Sequence, residues 1–262
     1  MQPRTKRRKR TIWAIIIITL LAFWGIHRYG SLNSRLQNAW NKVIYTSNDN
    51  VGIAVYSPKT HRIYTGSNVP GHRFHMASTV KVAILAGVLV KQPNGLSDHQ
   101  TSLAKEMIER SDNDATTELF SDLGGRQGLQ ATFNRFRMND STANSNWGLS
   151  TTTPRDQIKL LNNIFYKSSL LTEQDQELIA KLMRNVEADQ NWGISADSSN
   201  FAIKNGWLSY GKSKWMVNSI GYVKNDNGTD YTIAVYTDKN TTMQVGQQAV
   251  EQLARVTKSL MN

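Results

Sequence analysis

The sequence predicts an α+β domain: one antiparallel sheet covered by the terminal helices, with an all-helical lobe interrupting it. Three observations carry this reading. An amphipathic helix opens the folded part and another closes the chain. Strand patterns come as a pair early and as a trio late. The long stretch between them is helical. The order helix, two strands, helical block, three strands, helix is met by a single five-stranded sheet drawn from both ends of the chain.

The 262 residues, 39% of them hydrophobic and 19% charged, suit one sizeable domain with a real core. The net charge of +11 is concentrated at the start. Arg4, Lys6, Arg7, Arg8, Lys9 and Arg10 stand together without an acid, and without those six cations the balance falls to +5. The run abuts an uncharged apolar segment, Thr11 to Ile26, containing Ile15 to Ile18, Leu20, Leu21 and Phe23. Basic residues before an apolar segment follow the positive-inside rule, so they are read as topology and not as a nucleic-acid site. Sixteen helical residues reach about 24 Å, short of a hydrocarbon core of about 30 Å. Trp13 and Trp24 sit near the ends, and His27, Arg28 and Tyr29 extend the reach. No small-residue cleavage site follows closely. Residues 1–30 are therefore expected to form a basic cytoplasmic tail and a single-pass signal anchor, spanning about 11–28. Residues 31–262 are expected to form an extracytoplasmic domain, secreted if the N-terminus is cleaved. There is no cysteine, which excludes a thiol nucleophile, disulfides and thiolate metal sites.

The first helix is read from Leu32, Leu36, Ala39, Trp40, Val43 and Ile44, which share one face. Strands at about 51–56 and 61–65 are joined by the turn Ser57-Pro58-Lys59-Thr60. Helical patterns cover about 78–91, 100–110, 114–122, 127–136, 154–166 and 173–184. Pro93-Asn94-Gly95, Gly124-Gly125 and a polar loop at 139–150 interrupt them. Strands return at about 201–204, 214–223 and 230–237. The last helix, 243–260, puts Val245, Ala249, Leu253, Val256 and Leu260 on one face.

The chemistry starts from Ser78-Thr79-Val80-Lys81. Residues three apart on a helix share a face, so a neutral lysine amine can take the serine proton and no histidine is needed. The spacing alone is weak, because average composition yields it about once in a chain of this size. Ser102…Lys105 and Ser209…Lys212 repeat it here. Only Ser78 opens a run that is apolar nearly all round, Val80 to Val90, which reads as a buried central helix. Two further motifs follow in order: Ser111-Asp112-Asn113 in a helix-to-helix loop, and Lys204-Asn205-Gly206 on a late strand, followed by Trp207.

This set resembles the S-x-x-K, S-D-N and K-T-G signature of class A β-lactamases and penicillin-binding proteins. Phe74-His75-Met76-Ala77, Thr151-Thr152-Thr153-Pro154 and the segment Val217 to Val223 extend the resemblance over about residues 31–262. It implies the β-lactamase/transpeptidase-like fold and a serine hydrolase that needs no cofactor. In that family's terms Ser78 becomes acylated, Lys81 is base or proton relay, and Ser111 passes the proton to the leaving nitrogen. Asn113, Lys204, Asn205 and Gly206 bind substrate, and the backbone N–H groups of Ser78 and Trp207 form the oxyanion hole. The implied partners are β-lactams or D-alanyl cell-wall peptides as substrates; beside the membrane met by the anchor, a monomer with no nucleic-acid partner is expected.

Two departures from the family pattern stand out. Asn205 replaces a hydroxyl residue, although its amide can still donate to a substrate carboxylate. The loop Met138–Ser150 lacks the deacylating glutamate, whose position falls near Arg137, and holds one carboxylate, Asp140. Acylation of Ser78 is then expected to outrun hydrolysis. His72 and His75 lack a third ligand and read as surface or packing residues, so no metal site is assigned. Trp192 and Trp207 are read as core or substrate-stacking residues, and Met76 and Met183 as core fillers. The competing reading is a catalytically silent module that uses the same cleft to bind a wall peptide or partner.

Overall fold

The computed structural model describes residues 13, 15, 19, 30–46, 49–211 and 214–262. The expected anchor therefore lies outside the described residues, apart from three positions. Among the described residues no helix is long and apolar enough to cross a membrane.

The chain runs α1 (Leu32–Ile44), β1 (Asn50–Ser57), β2 (Arg62–Ser67), β3 (Phe74–His75), α2 (Val80–Lys91), α3 (Asp98–Glu109), α4 (Asn113–Leu123) and α5 (Gly125–Arg135). It continues through β4 (Thr151–Thr152), α6 (Pro154–Phe165), α7 (Glu173–Arg184), β5 (Phe201–Ser209), β6 (Trp215–Lys224), β7 (Asp230–Asn240) and α8 (Met243–Met261). Five strands form one sheet in the order β2-β1-β7-β6-β5, antiparallel throughout. The α+β architecture read from the sequence is thus the one observed.

Period-two alternation sends the side chains of each strand to two different cores. Ile53, Val55, Ile203, Ile233 and Val235 pack with Leu36, Trp40, Val250 and Leu253 of α1 and α8. Their neighbours Ala54, Ala202, Ala234 and Tyr236 join the helical lobe. Because both faces are covered, β1, β6 and β7 read as nearly continuous buried runs. α2 is the axis of the lobe, with every residue from Val80 to Leu89 buried.

Local capping explains where the helices start. Ser97 and Gln100 form a capping box, so α3 begins at Asp98, ahead of the expected residue 100. Thr153 caps α6 with Pro154 in its first turn. β5 does not stop at Lys204. It stays paired with β6 as far as Ser209↔Trp215, which carries the whole Lys204-Asn205-Gly206 motif on a strand. The two-residue pair β3–β4, also not anticipated, joins the segment before Ser78 to the one after the 139–150 loop.

Candidate active site

Ser78 lies in a 3-10 turn, Ala77–Thr79, between β3 and α2. The turn is tied down from several sides. Met76 N donates to Ser150 O at 2.8 Å, and Asn218 Nδ2 donates to His75 O at 2.9 Å. Thr79 Oγ1 donates to Met76 O at 2.7 Å and sits 2.6 Å from the Tyr236 hydroxyl. These contacts hold Ala77 at a φ of 47°, a left-handed conformation that an alanine adopts at a cost. Strain of this kind persists where the surroundings over-determine it, here immediately before the serine.

Lys81, the second residue of the buried helix and one turn after Ser78, is 0% exposed. Its Nζ reaches Ser111 O at 2.6 Å, Asn113 Oδ1 at 2.9 Å, Ser111 Oγ at 3.1 Å and Asp112 O at 3.2 Å. An ammonium has three hydrogens for these four acceptors, so at least one contact must be shared or reversed. The indole of Trp147 covers the amine, with Nζ 5.1 Å from the ring centroid. Burial lowers the Lys81 pKa to about 7, against a smaller opposing pull from the Asp112 charge. Ser78 Oγ makes no hydrogen bond to Lys81 here. The lysine turns toward the Ser111-Asp112-Asn113 loop, where the i,i+3 spacing alone placed hydroxyl and amine side by side.

Lys204 arrives from β5, also fully buried, and donates to Ser111 Oγ at 2.9 Å and to its neighbour's carbonyl, Asn205 O, at 3.2 Å. Burial, and then repulsion from Lys81, hold its pKa well below the ordinary lysine value. Neither amine has an ion-pair partner among the described residues. Ser111 Oγ therefore bridges two desolvated amines, from a backbone held at a φ of 59°. Such an arrangement can pass a proton between three heteroatoms, and it favours an anionic group brought into the cleft.

Gly206 is a glycine for a steric reason. A Cβ there would lie 2.7 Å from both Ser78 N and Thr79 N and 2.9 Å from Met76 O. Because those atoms are backbone, β5 could not press against the serine turn with any larger residue. Trp207 follows on the same strand and packs against Trp192, with ring centroids 5.8 Å apart.

The sequence motifs thus bring Ser78, Lys81, Ser111, Asn113, Lys204 and Gly206 to one place. Asn205 is the correction. Strand alternation turns its side chain away from Lys204 and Gly206, where it is 2% exposed. Its Nδ2 donates to Gln190 O and Trp192 O at 2.8 and 2.9 Å. Both amide hydrogens are taken, so no donor is left for a substrate carboxylate. The decoy serines behave as expected: Ser102 and Lys105 lie exposed on α3, and Ser209 is exposed at the end of β5. His72 pairs with Asp238 at 2.6 Å, and His75 Nδ1 lies 2.9 Å from Leu149 O. Met76 and Met183 are fully buried, and Trp192 is core.

The loop before β4 carries what the sequence reading missed. Its one carboxylate, Asp140, faces Arg73 at 3.4 Å and is half exposed. The residue of this loop beside Lys81 is Trp147, in a 3-10 turn, Trp147–Leu149. A lone tryptophan in a polar loop is the sequence signal for it.

The model of the beta-lactamase enzyme family matches residues 86–262. The chain belongs to that family. Among solved structures, the fold of this beta-lactamase family member is shared by a class A beta-lactamase from Bacteroides cellulosilyticus. The TM-score is 0.77 at 16% identity, covering 88% of this chain and 99% of that one. TLA-3 extended-spectrum beta-lactamase superposes at 0.76 with 18% identity, over 87% and 98% of the two chains. A mutant of PBP-A, captured as an acyl-enzyme complex with penicillin G, superposes at 0.73 with 21% identity, over 86% and 96%. Comparison with curated protein sequences finds no match.

Proposed function

We propose that the chain is a serine acyl-transfer enzyme whose Ser78 is acylated by β-lactams or D-alanyl cell-wall peptides and released slowly. The observation that carries this reading is the pair of buried amines, Lys81 and Lys204, meeting at Ser111 Oγ.

The chemistry follows from those positions. With a pKa near 7, Lys81 is neutral in a large fraction of molecules at neutral pH. It can therefore take the Ser78 proton, directly or through Ser111, as Oγ attacks the substrate carbonyl carbon. Backbone N–H groups at Ser78 and Trp207 stabilise the oxyanion, where each donor is worth about 10²–10³ in rate. Ser111 then delivers the proton to the departing nitrogen, completing the exchange of C–N for C–O. The Asn113 side chain, whose oxygen is already held by Lys81, has its N–H₂ to offer a substrate amide. A substrate carboxylate entering the cleft favours the protonated form of Lys204, whose ordinary charge burial opposes, and is held by it in turn.

Hydrolysis of the ester needs an activated water. Asp140, the carboxylate of the preceding loop, faces Arg73, and an indole stands over Lys81. That arrangement supports a long-lived acyl-enzyme. With a chromogenic β-lactam, the expected trace is a burst of about one equivalent followed by a slow steady rate. Sustained fast turnover without a burst would contradict the slow release. Absence of any reaction with β-lactam or ester substrates would leave the silent binding module.

A further inference from the structure

We infer that Asn205 and Gln190 form a positioning strut that sets the distance between Lys204 and Ser111, an assignment that rests on the acyl-transfer reading above. The path is continuous. Asn205 Nδ2 holds the carbonyls of Gln190 and Trp192, and Gln190 Nε2 donates to Arg110 O at 2.9 Å. Arg110 directly precedes Ser111, whose Oγ meets Lys204 Nζ, one residue from Asn205. The contacts close a ring: β5, the 190–192 segment, the Ser111 loop, and back to β5. A backbone bond, Glu187 N to Glu109 O at 3.0 Å, braces the same segment against the end of α3.

The orientation of the two amides is dictated by the groups they serve. Turning either one over would set its oxygen against backbone carbonyl oxygen. As they stand, Asn205 Oδ1 and Gln190 Oε1 are both buried without a partner. That cost is accepted on the oxygen side while every amide hydrogen contact needed by the strut is made. Gly193, at a φ of +92°, lets the segment pass close, since a Cβ there would lie 3.3 Å from Asn205 Oδ1 and 2.5 Å from Ser219 Oγ.

This accounts for the departure from a hydroxyl residue in the third motif. A serine or threonine has one hydrogen to donate, and two carbonyls need two. The side chain at 205 never faces the cleft, so its effect on the reaction passes through Lys204 and Ser111. Asn205 and Gln190 are positioning residues.

The test uses the near-isosteric variants Asn205→Leu and Gln190→Met, singly and together, with acylation by a chromogenic β-lactam as readout. Links in series break once. Each single variant is expected to acylate about tenfold or more slowly, and the double variant no more slowly than the worse single one. Multiplying effects would mark two independent structural lesions and overturn the strut. Leu253→Ala, in the opposite core, controls for lost stability: its unfolding midpoint falls and its acylation rate stays. If it slows acylation as the strut variants do, the slowing is generic and the strut is overturned. Wild-type rates in both single variants overturn it as well. An unreactive wild type overturns the acyl-transfer reading itself, a result distinct from the others.

Discussion

Lys81→Met is expected to slow the proposed acylation by about 10²–10⁴, the usual contribution of a positioned general base. Methionine fills much the same buried volume as the lysine stem, so the loss falls on the amine. The pH dependence separates this from simple damage. In the wild type the Lys81 pKa is lowered to about 7 by burial. The amine is therefore charged and inactive below that value and neutral above it. Acylation rises with pH through a midpoint near 7 and levels off on the alkaline side. The methionine variant loses this rise along with the rate. Rates measured from about pH 5 to about pH 9 decide it: an unchanged acid limb in Lys81→Met would assign the titration to another group.

Gly206→Ala has the second large effect, and it arises from one methyl group. The new Cβ meets three backbone atoms of the serine turn at 2.7 to 2.9 Å, none of which belongs to a side chain that can rotate away. β5 and the Ala77–Thr79 turn must separate, and a displacement of the order of 1 Å at reacting groups costs about 10²-fold in rate. Overpacking of this kind also destabilises by about 1–3 kcal/mol. Acylation should fall far more than the urea-unfolding midpoint suggests. An alanine variant that acylates at the wild-type rate would show that the contact does not set the site.

The fold was legible because its signals are long. α1 and α8 show one apolar stripe each, and α2 is apolar all round because it is buried all round. β3 and β4 were not legible, since two residues carry no periodicity. β5 was read short because Asn205 and Gly206 look like strand breakers. In the structure one braces a neighbouring segment and the other permits a close approach, and both are paired with β6.

The site was legible where identity and order suffice. Ser78, Lys81, Ser111, Asn113, Lys204 and Gly206 converge as the three motifs implied. What the sequence could not convey is direction. It did not show that Lys81 turns to the Ser111 loop, or that Asn205 points to the far face of its strand. Trp147 and Gln190 were missed for the same reason. Each acts through a contact with a residue more than sixty positions away, Lys81 for one and Arg110 for the other.

The proposed chemistry depends on an acyl bond at Ser78. The full chain, incubated with penicillin G and followed by intact mass and peptide mapping, should gain one penicilloyl group on Ser78. That adduct should persist over hours, on the order of the slow release proposed, and be absent from Ser78→Ala. No adduct on the wild type, or an adduct that survives in Ser78→Ala, would contradict it.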